Sequence, residues 1–302
     1  MRNLKVAVVQ DAPVLFDRNA TLEKVERLAQ AATDSSAELV LFPEAFVPAY
    51  PRGLQFGTVV GSRSSDGRKL WQRYYDNAIQ QGDEGFSRLS HISRDQGIFL
   101  VIGVVEKEPS GTLYCSTFYF DPAGVLIGKH RKLKPTAAER VIWGEGDGTD
   151  LEVMKTEAGR IGGLICWENY MPLARTWLYE QAIEVYCAPT ADQRETWQHT
   201  LKHIAVEGRC FVLGGNQYVK KEDYPTDLPG EDLSTLPDVP SRGGSVIVGP
   251  MGEDLAGPLW DEAGILYATL EADVLTQSKM DFDPVGHYAR TDVFELRNNR
   301  LK

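Results

Sequence analysis

Apolar, strand-like runs alternate with segments of helical spacing almost to the end of this chain, and that alternation restricts the fold more than any other feature. Leu4 to Gln10 has the residues of a strand, Leu22, Val25, Leu28, Ala29 and Ala32 then recur at helical spacing behind candidate caps at Asn19 or Thr21, and Ala37 to Phe42 is again rich in strand formers. A strand–helix–strand unit of this kind favours a parallel pair with the helix on one face. After a Pro- and Gly-rich stretch from Pro48 to Gly61 and two helical patterns, Ile98 to Val105 is nearly continuous apolar sequence, as expected of a strand covered on both sides. Leu113 to Phe120 and Val125 to Lys129 flank the turn sequence Asp121-Pro-Ala-Gly124, which predicts a hairpin and makes part of the sheet antiparallel. Further strands are legible at Gly159–Ile165, Ile183–Cys187, Cys210–Gly215, Gly244–Val248 and Gly264–Leu270, with helices at about Pro172–Gln181 and Gln193–Glu207. The polar, Pro-containing span from Lys220 to Arg242 reads as a long surface loop. The expected class is α/β with mixed sheets, without internal repeats.

With 302 residues, 42% of them hydrophobic and 25% charged, the chain can bury a sizeable core. No linker-like stretch divides it, so residues 1–302 are read as one domain, with a C-terminal tail from about residue 273. The net charge is −11 and the basic residues are scattered, which argues against a nucleic-acid partner. Met1 to Lys5 runs straight into the strand-like Val6–Val9 with no leader pattern, and no apolar run approaches membrane-spanning length; a soluble, cytoplasmic protein is expected. Four cysteines, at 115, 166, 187 and 210, are too few and too dispersed for a disulfide framework, which suits a reducing compartment. Cys115, Cys187 and Cys210 lie in apolar surroundings as small buried hydrophobes would.

Reactive groups gather in segments that end buried strands, a position that recurs in α/β active sites. Glu44 follows Leu39-Val-Leu-Phe-Pro, where burial would raise its carboxyl toward the range of a general base; the competing reading is a capping or salt-bridged loop residue. In Gly128-Lys-His-Arg-Lys-Leu-Lys134-Pro, strand spacing puts His130, Lys132 and Lys134 on one face and Arg131 on the other, and does not choose among the lysines. That segment equally suits an edge strand guarded by lysine. Cys166, in Arg160-Ile-Gly-Gly-Leu-Ile-Cys-Trp-Glu-Asn-Tyr-Met-Pro172, ends an apolar strand just before a helix with proline in its first turn. Backbone N–H groups and a helix dipole there would favour a thiolate and hold a developing negative charge, although a tight turn can also carry a purely structural cysteine.

Other motifs argue for less. His199 and His203 stand one helical turn apart, but Thr200 occupies the place of a metalloprotease glutamate and no third ligand is evident. Gly144-Glu-Gly-Asp-Gly148 carries two acids that would repel phosphate. No Gly-x-Ser-x-Gly elbow occurs. The expectation is an enzyme with no cofactor and no metal.

Taken together, Phe42-Pro-Glu44-Ala-Phe, Arg131-Lys132-Leu-Lys-Pro-Thr-Ala-Ala-Glu139-Arg and Cys166-Trp-Glu-Asn-Tyr resemble the three motifs of the nitrilase superfamily in order and approximate spacing, and the match spans nearly the whole chain. Trp143-Gly-Glu-Gly-Asp-Gly, Cys187-Ala-Pro-Thr and Gly286-His-Tyr-Ala-Arg290 further resemble its nitrilase branch rather than its amidase or carbamoylase relatives. The resemblance implies a four-layer α-β-β-α sandwich, a homodimer or larger homo-oligomer formed through helices near the site, and a triad of Glu44, Lys132 and Cys166 with Glu139 as a supporting carboxylate. It further implies a small nitrile as substrate, converted to the carboxylic acid and ammonia. Tyr50, Trp143, Trp167, Thr190 and Ala191 adjoin the motifs and are candidates to line a substrate pocket, or else to pack the core. An amidase or carbamoylase using the same triad is the alternative activity, and a catalytically silent scaffold on this fold the alternative class. Spirals in the family are aided by a C-terminal extension, and with the sequence ending at Lys302 a dimer or short assembly is expected.

Overall fold

The computed structural model describes residues 1–300. Along the chain the elements are β1 (Leu4–Gln10), α1 (Arg18–Asp34), β2 (Leu39–Leu41), β3 (Thr58–Val59), β4 (Ser62–Arg63), α2 (Ser65–Asn77), α3 (Glu84–Gln96), β5 (Phe99–Lys107), β6 (Leu113–Phe120) and β7 (Leu126–Arg131). They continue with β8 (Met154–Thr156), β9 (Gly159–Gly163), α4 (Pro172–Glu180), β10 (Val185–Pro189), α5 (Glu195–Gly208), β11 (Phe211–Gly215), β12 (Tyr218–Val219), β13 (Ser241–Val248), β14 (Asp254–Trp260), β15 (Gly264–Leu270) and α6 (Ala272–Ser278).

One sheet runs in the order β15-β1-β2-β5-β6-β7 and another in the order β12-β13-β11-β10-β9-β8, with β14 paired to β13. Both are mixed: β1–β2–β5 and β9–β10–β11 are parallel, while β5–β6–β7 and β11–β13 are antiparallel. Strand alternation builds the layers. In β1, Ala7 and Val9 face α1 and α3, where they meet Leu22, Val25 and Ala29 of α1 and Leu89 and Ile92 of α3. Val6 and Val8 point the other way and pack with Val185, Cys187, Phe211 and Leu213 of the second sheet. On the outer face of that sheet Tyr186, Val212 and Val246 bury Leu178 of α4 and Trp197, Leu201 and Ile204 of α5. The result is the expected helix–sheet–sheet–helix sandwich.

The hairpin around Asp121 forms, with Gly124 N–H donating to Asp121 O at 2.8 Å. Helix α1 starts earlier than Asn19 or Thr21: the Asp17 carboxylate accepts from Ala20 N–H at 2.9 Å and caps it, while buried Thr21 turns its hydroxyl inward to Val14 O at 2.9 Å. Residues from about 273, expected as a tail, begin instead as α6, because Leu275 finds a place in the inter-sheet core. The span expected as a loop over 220–242 is one up to Pro240, where β13 takes over; it is anchored by buried Tyr224 and Leu228, and its Glu231 carboxylate accepts from Phe56 N–H at 2.7 Å. It thereby clamps residues 50–56 against the body of the protein.

Two glycines permit close backbone approaches beside the strand ends that matter below. A Cβ on Gly103 of β5 would lie 2.2 Å from Pro43 O and 2.7 Å from Glu44 Cα, and one on Gly163 of β9 would lie 1.8 Å from Cys187 O. No helix among the described residues is long and apolar enough to cross a membrane.

Candidate active site

The segments that follow β2, β7 and β9 converge at one end of the sandwich. Chain reversal there is tight, and Ala45, Ala137 and Cys166 all hold left-handed backbone, with φ of 46°, 46° and 52°. Such conformations cost of order 1–3 kcal/mol for residues other than glycine and concentrate at sites where geometry serves function.

The Glu44 carboxylate and the Lys132 ammonium are fully buried. Lys132 Nζ donates to Glu44 Oε1 at 2.7 Å and to Glu139 Oε2 at 2.7 Å. Glu139 is held in turn by the Tyr50 hydroxyl at 2.7 Å and Thr136 N–H at 2.6 Å. The Cys115 thiol donates to Glu44 Oε1 at 3.6 Å, and Gln217 Nε2 fixes the Glu44 backbone carbonyl at 2.8 Å. Glu44 Oε2 is left without a hydrogen-bond partner among the described residues.

Strand spacing left the lysines of 132–134 unresolved. Strand β7 ends at Arg131, and Lys132 N–H then donates to Cys115 O at 2.8 Å, which carries Lys132 inward; Lys134 is exposed and pairs with Glu145. Strand β7 is also the edge strand that the competing reading required, so the two roles are neighbours rather than rivals. Arg131 takes the opposite face, bidentate on Glu106 at 2.7 Å. The glycine-rich run lies along this strand end, with Gly146 N–H donating to Lys132 O at 2.8 Å.

Burial raises the Glu44 carboxyl above its usual range, although the Lys132 charge acts against it. For Lys132 burial acts to lower the pKa, but the surrounding negative groups, Glu44 first among them, outweigh it and keep the ammonium charged. The Cys166 thiol is pushed up to about 12, by burial first and by the Glu44 charge next; Lys132, the Thr190 hydroxyl at 3.2 Å from Sγ and the Ala191 N–H work in the other direction. The turn therefore does not lower the thiol, as its place before a helix had suggested. The α4 dipole is too far off to help, because a 3₁₀ turn over Cys166–Tyr170 comes first and α4 starts only at Pro172. A nucleophile with these surroundings must lose its proton to a base as it reacts, and Glu44 is near enough for each group to perturb the other's titration.

The sulfur opens on a cleft of about 340 Å³ whose walls include Tyr50, Arg52, Glu139, Trp167, Ala191 and Arg194. Of the candidate pocket residues, Tyr50, Trp167 and Ala191 therefore border it. Thr190 is buried behind and bonds the thiol. Trp143 does not reach the cleft: it is in the core, 5.8 Å from the Tyr50 ring and with Lys132 Nζ 5.8 Å from its own ring centroid. The turn that carries it closes inward through Trp143 N–H to Glu139 O at 2.9 Å. The Gly286–Arg290 segment lies away from this cleft, beside a hollow formed with Tyr179 and Glu207.

Sequence reasoning missed a brace behind the three candidate residues Glu44, Lys132 and Cys166. Buried Glu168 accepts from Ile165 N–H at 2.8 Å, from Leu133 N–H at 2.5 Å and lies 3.1 Å from His130 Nε2, while His130 Nδ1 lies 3.2 Å from Asp150. Glu168 thus ties the residue before Cys166 to the residue after Lys132. Its only signal was membership of the Cys-Trp-Glu motif, and His130 had been noticed solely for sharing a face with Lys132. Among the described residues no group of three or more His, Cys, Asp or Glu side chains is placed to hold a metal ion, and His203 pairs with Glu207 at 3.5 Å.

The model of the carbon-nitrogen hydrolase family matches residues 5–280. An aliphatic nitrilase of Sinorhizobium fredii is 46% identical over 297 residues, covering 98% of this chain and 96% of its own. An arylacetonitrilase of Trametes versicolor is 44% identical, covering 97% and 96%. A carbon-nitrogen hydrolase from Helicobacter pylori superposes with a TM-score of 0.76 at 21% identity, over 97% of both chains, and so shares the fold. The chain belongs to the carbon-nitrogen hydrolase family.

Proposed function

We propose that this hydrolase is a nitrilase that turns a small organic nitrile and two waters into a carboxylic acid and ammonia at Cys166. The observation that carries this is a buried thiol lining a cleft, near a buried carboxylate with one unpartnered oxygen and a buried ammonium pinned between two acids. In the first step Glu44 takes the Cys166 proton while sulfur bonds to the nitrile carbon. One carbon–nitrogen π pair moves to nitrogen, which receives the proton from Glu44, leaving a thioimidate. Water then adds to the same carbon, Glu44 passing first one and then the other of its protons to nitrogen; as the carbon–oxygen double bond forms the carbon–nitrogen bond breaks, ammonia leaves and a thioester remains. A second water, deprotonated by Glu44, displaces the thiol and releases the acid. Lys132 offsets the negative charge that develops on nitrogen and then on the tetrahedral oxygen, and Glu139 keeps it charged and aimed.

The relatives named nitrilases support the choice of nitriles over amides, and the covering of both aliphatic and arylacetic names leaves the substituent to the cleft. Ammonia release from aliphatic, aryl and arylacetic nitriles and from the matching amides tests the reading. Release from nitriles with little from amides is expected; release from amides alone would make the protein an amidase.

The same reading takes 1–302 as one catalytic domain, of which 301–302 lie outside the described residues, and places it in a reducing cytoplasm, where four free cysteines persist. It also takes the protein as a homodimer or short assembly. Supporting that, Tyr170, Met171 and Leu173 before and within α4 and Val206 on α5 are exposed apolar side chains.

A further inference from the structure

We infer that Arg52 selects nitriles that carry a carboxylate two or three carbons from the nitrile carbon. This inference rests on the nitrilase reading and concerns which substituent the cleft accepts.

Three cationic and three anionic side chains surround the sulfur, and all but one are committed. Lys132 is paired with Glu44 and Glu139. Arg194 is paired with Asp192, whose other contact is Trp167 Nε1 at 2.9 Å. Arg52 has no carboxylate partner among the described residues: its guanidinium donates to the Ala191 carbonyl oxygen and lies 5.5 Å from the centroid of the Tyr50 ring. It is half-buried and borders both the catalytic cleft and the adjoining hollow over residues 50–58 and 136–142. A guanidinium has five donor hydrogens in a planar fork, and one carbonyl leaves most of them free to meet a two-oxygen acceptor.

The position of that fork relative to the reacting sulfur is bounded by two adjoining residues. Thr190, whose hydroxyl lies 3.2 Å from Cys166 Sγ, is followed by Ala191, whose carbonyl accepts from Arg52. Two hydrogen bonds and the step from one residue to the next put the guanidinium about 6–10 Å from the sulfur. A nitrile carbon bonded to sulfur, a two- or three-carbon spacer and a carboxylate hydrogen-bonded to arginine fill about that length. The Arg52 backbone is itself held, with its carbonyl accepting from the Tyr224 hydroxyl at 3.0 Å, so the fork is presented from a fixed support. Glu139 and Asp192 line the same cleft, but each already has its cation, so a substrate carboxylate meets a balanced wall with one unspent positive group.

The test compares 3-cyanopropanoate with 4-methylpentanenitrile, which has the same shape and no charge, for the wild type, Arg52→Lys and Arg52→Ala. The wild type is expected to favour the anion in kcat/KM, and Arg52→Ala to lower the anion-to-neutral ratio by about 10–100-fold, chiefly through KM, with Arg52→Lys between. Equal use of the two nitriles by the wild type would overturn the inference while leaving the nitrilase reading intact. So would parallel losses on both in Arg52→Ala, which mark a brace for Ala191. Failure of the wild type to release ammonia from any nitrile would instead remove the reading on which the inference rests.

Discussion

In the proposed mechanism Cys166 and Glu44 divide one proton between them, and their burial decides where it rests. The thiol, pushed up to about 12, keeps its proton at neutral pH, and the carboxyl, raised above 4.5, is basic enough to accept it during attack. Because Glu44 as the proposed base must be ionised to act, the acid limb of kcat/KM should lie above pH 4.5, and Glu44→Gln should lower kcat by about 10²–10⁴-fold across the profile. An acid limb in the ordinary carboxylate range, or a Gln variant close to wild type, would assign the base elsewhere. These residues were legible in the sequence because each stands in a short motif at a strand end. Lys132 against Lys134 was not, since a period of two cannot show where β7 stops and the chain turns inward. Arg52 gave no sign either: only the fold brings it to the Ala191 carbonyl.

The loops that carry Lys132 and Cys166 of the proposed triad are held in register by His130, Asp150 and Glu168, which join the end of β7 to the end of β9. Burial opposes a charged His130, but the Glu168 and Asp150 carboxylates prevail and push it up to about 10 from 6.5. A group bound more tightly in its charged form by the folded state contributes fully below its unfolded pKa. That stabilisation should therefore be present below about pH 6.5 and fade as the pH rises to about 10. His130→Ala, which leaves two acids facing one another, should cost about 3–5 kcal/mol at pH 6 and less at pH 10 in denaturant melts. A cost that did not change with pH would make the imidazole a neutral spacer. The strands themselves were readable, since β1, β6 and β15 have strong apolar patterns and end where the sequence suggests. Strand β14 was not: its side chains are largely exposed and its ladder with β13 is interrupted by register shifts, so no alternation marks it.

The sandwich exposes apolar side chains on the outward side of the layer formed by α4 and α5, Leu173 at 69% among them. If a second copy covers this face, Leu173→Glu should shift the species seen by light scattering from dimer or larger to monomer, and a wild type that is already monomeric would refute the assembly. The layering was legible because apolar alternation fixes which face of each strand is buried. The outer surface was not, because a single chain carries no pattern that separates an exposed apolar residue from one awaiting a partner. The turn Cys166–Tyr170 bears the proposed nucleophile at one end and exposed Tyr170 at the other. The most direct test is ammonia release from a nitrile by Cys166→Ser, with its melting temperature measured beside wild type. Loss of more than about 10³-fold at an unchanged melting temperature is the predicted result, since an alkoxide is far harder than a thiolate to form against Glu44. Retention of activity within about tenfold would contradict the assignment of Cys166 as the nucleophile.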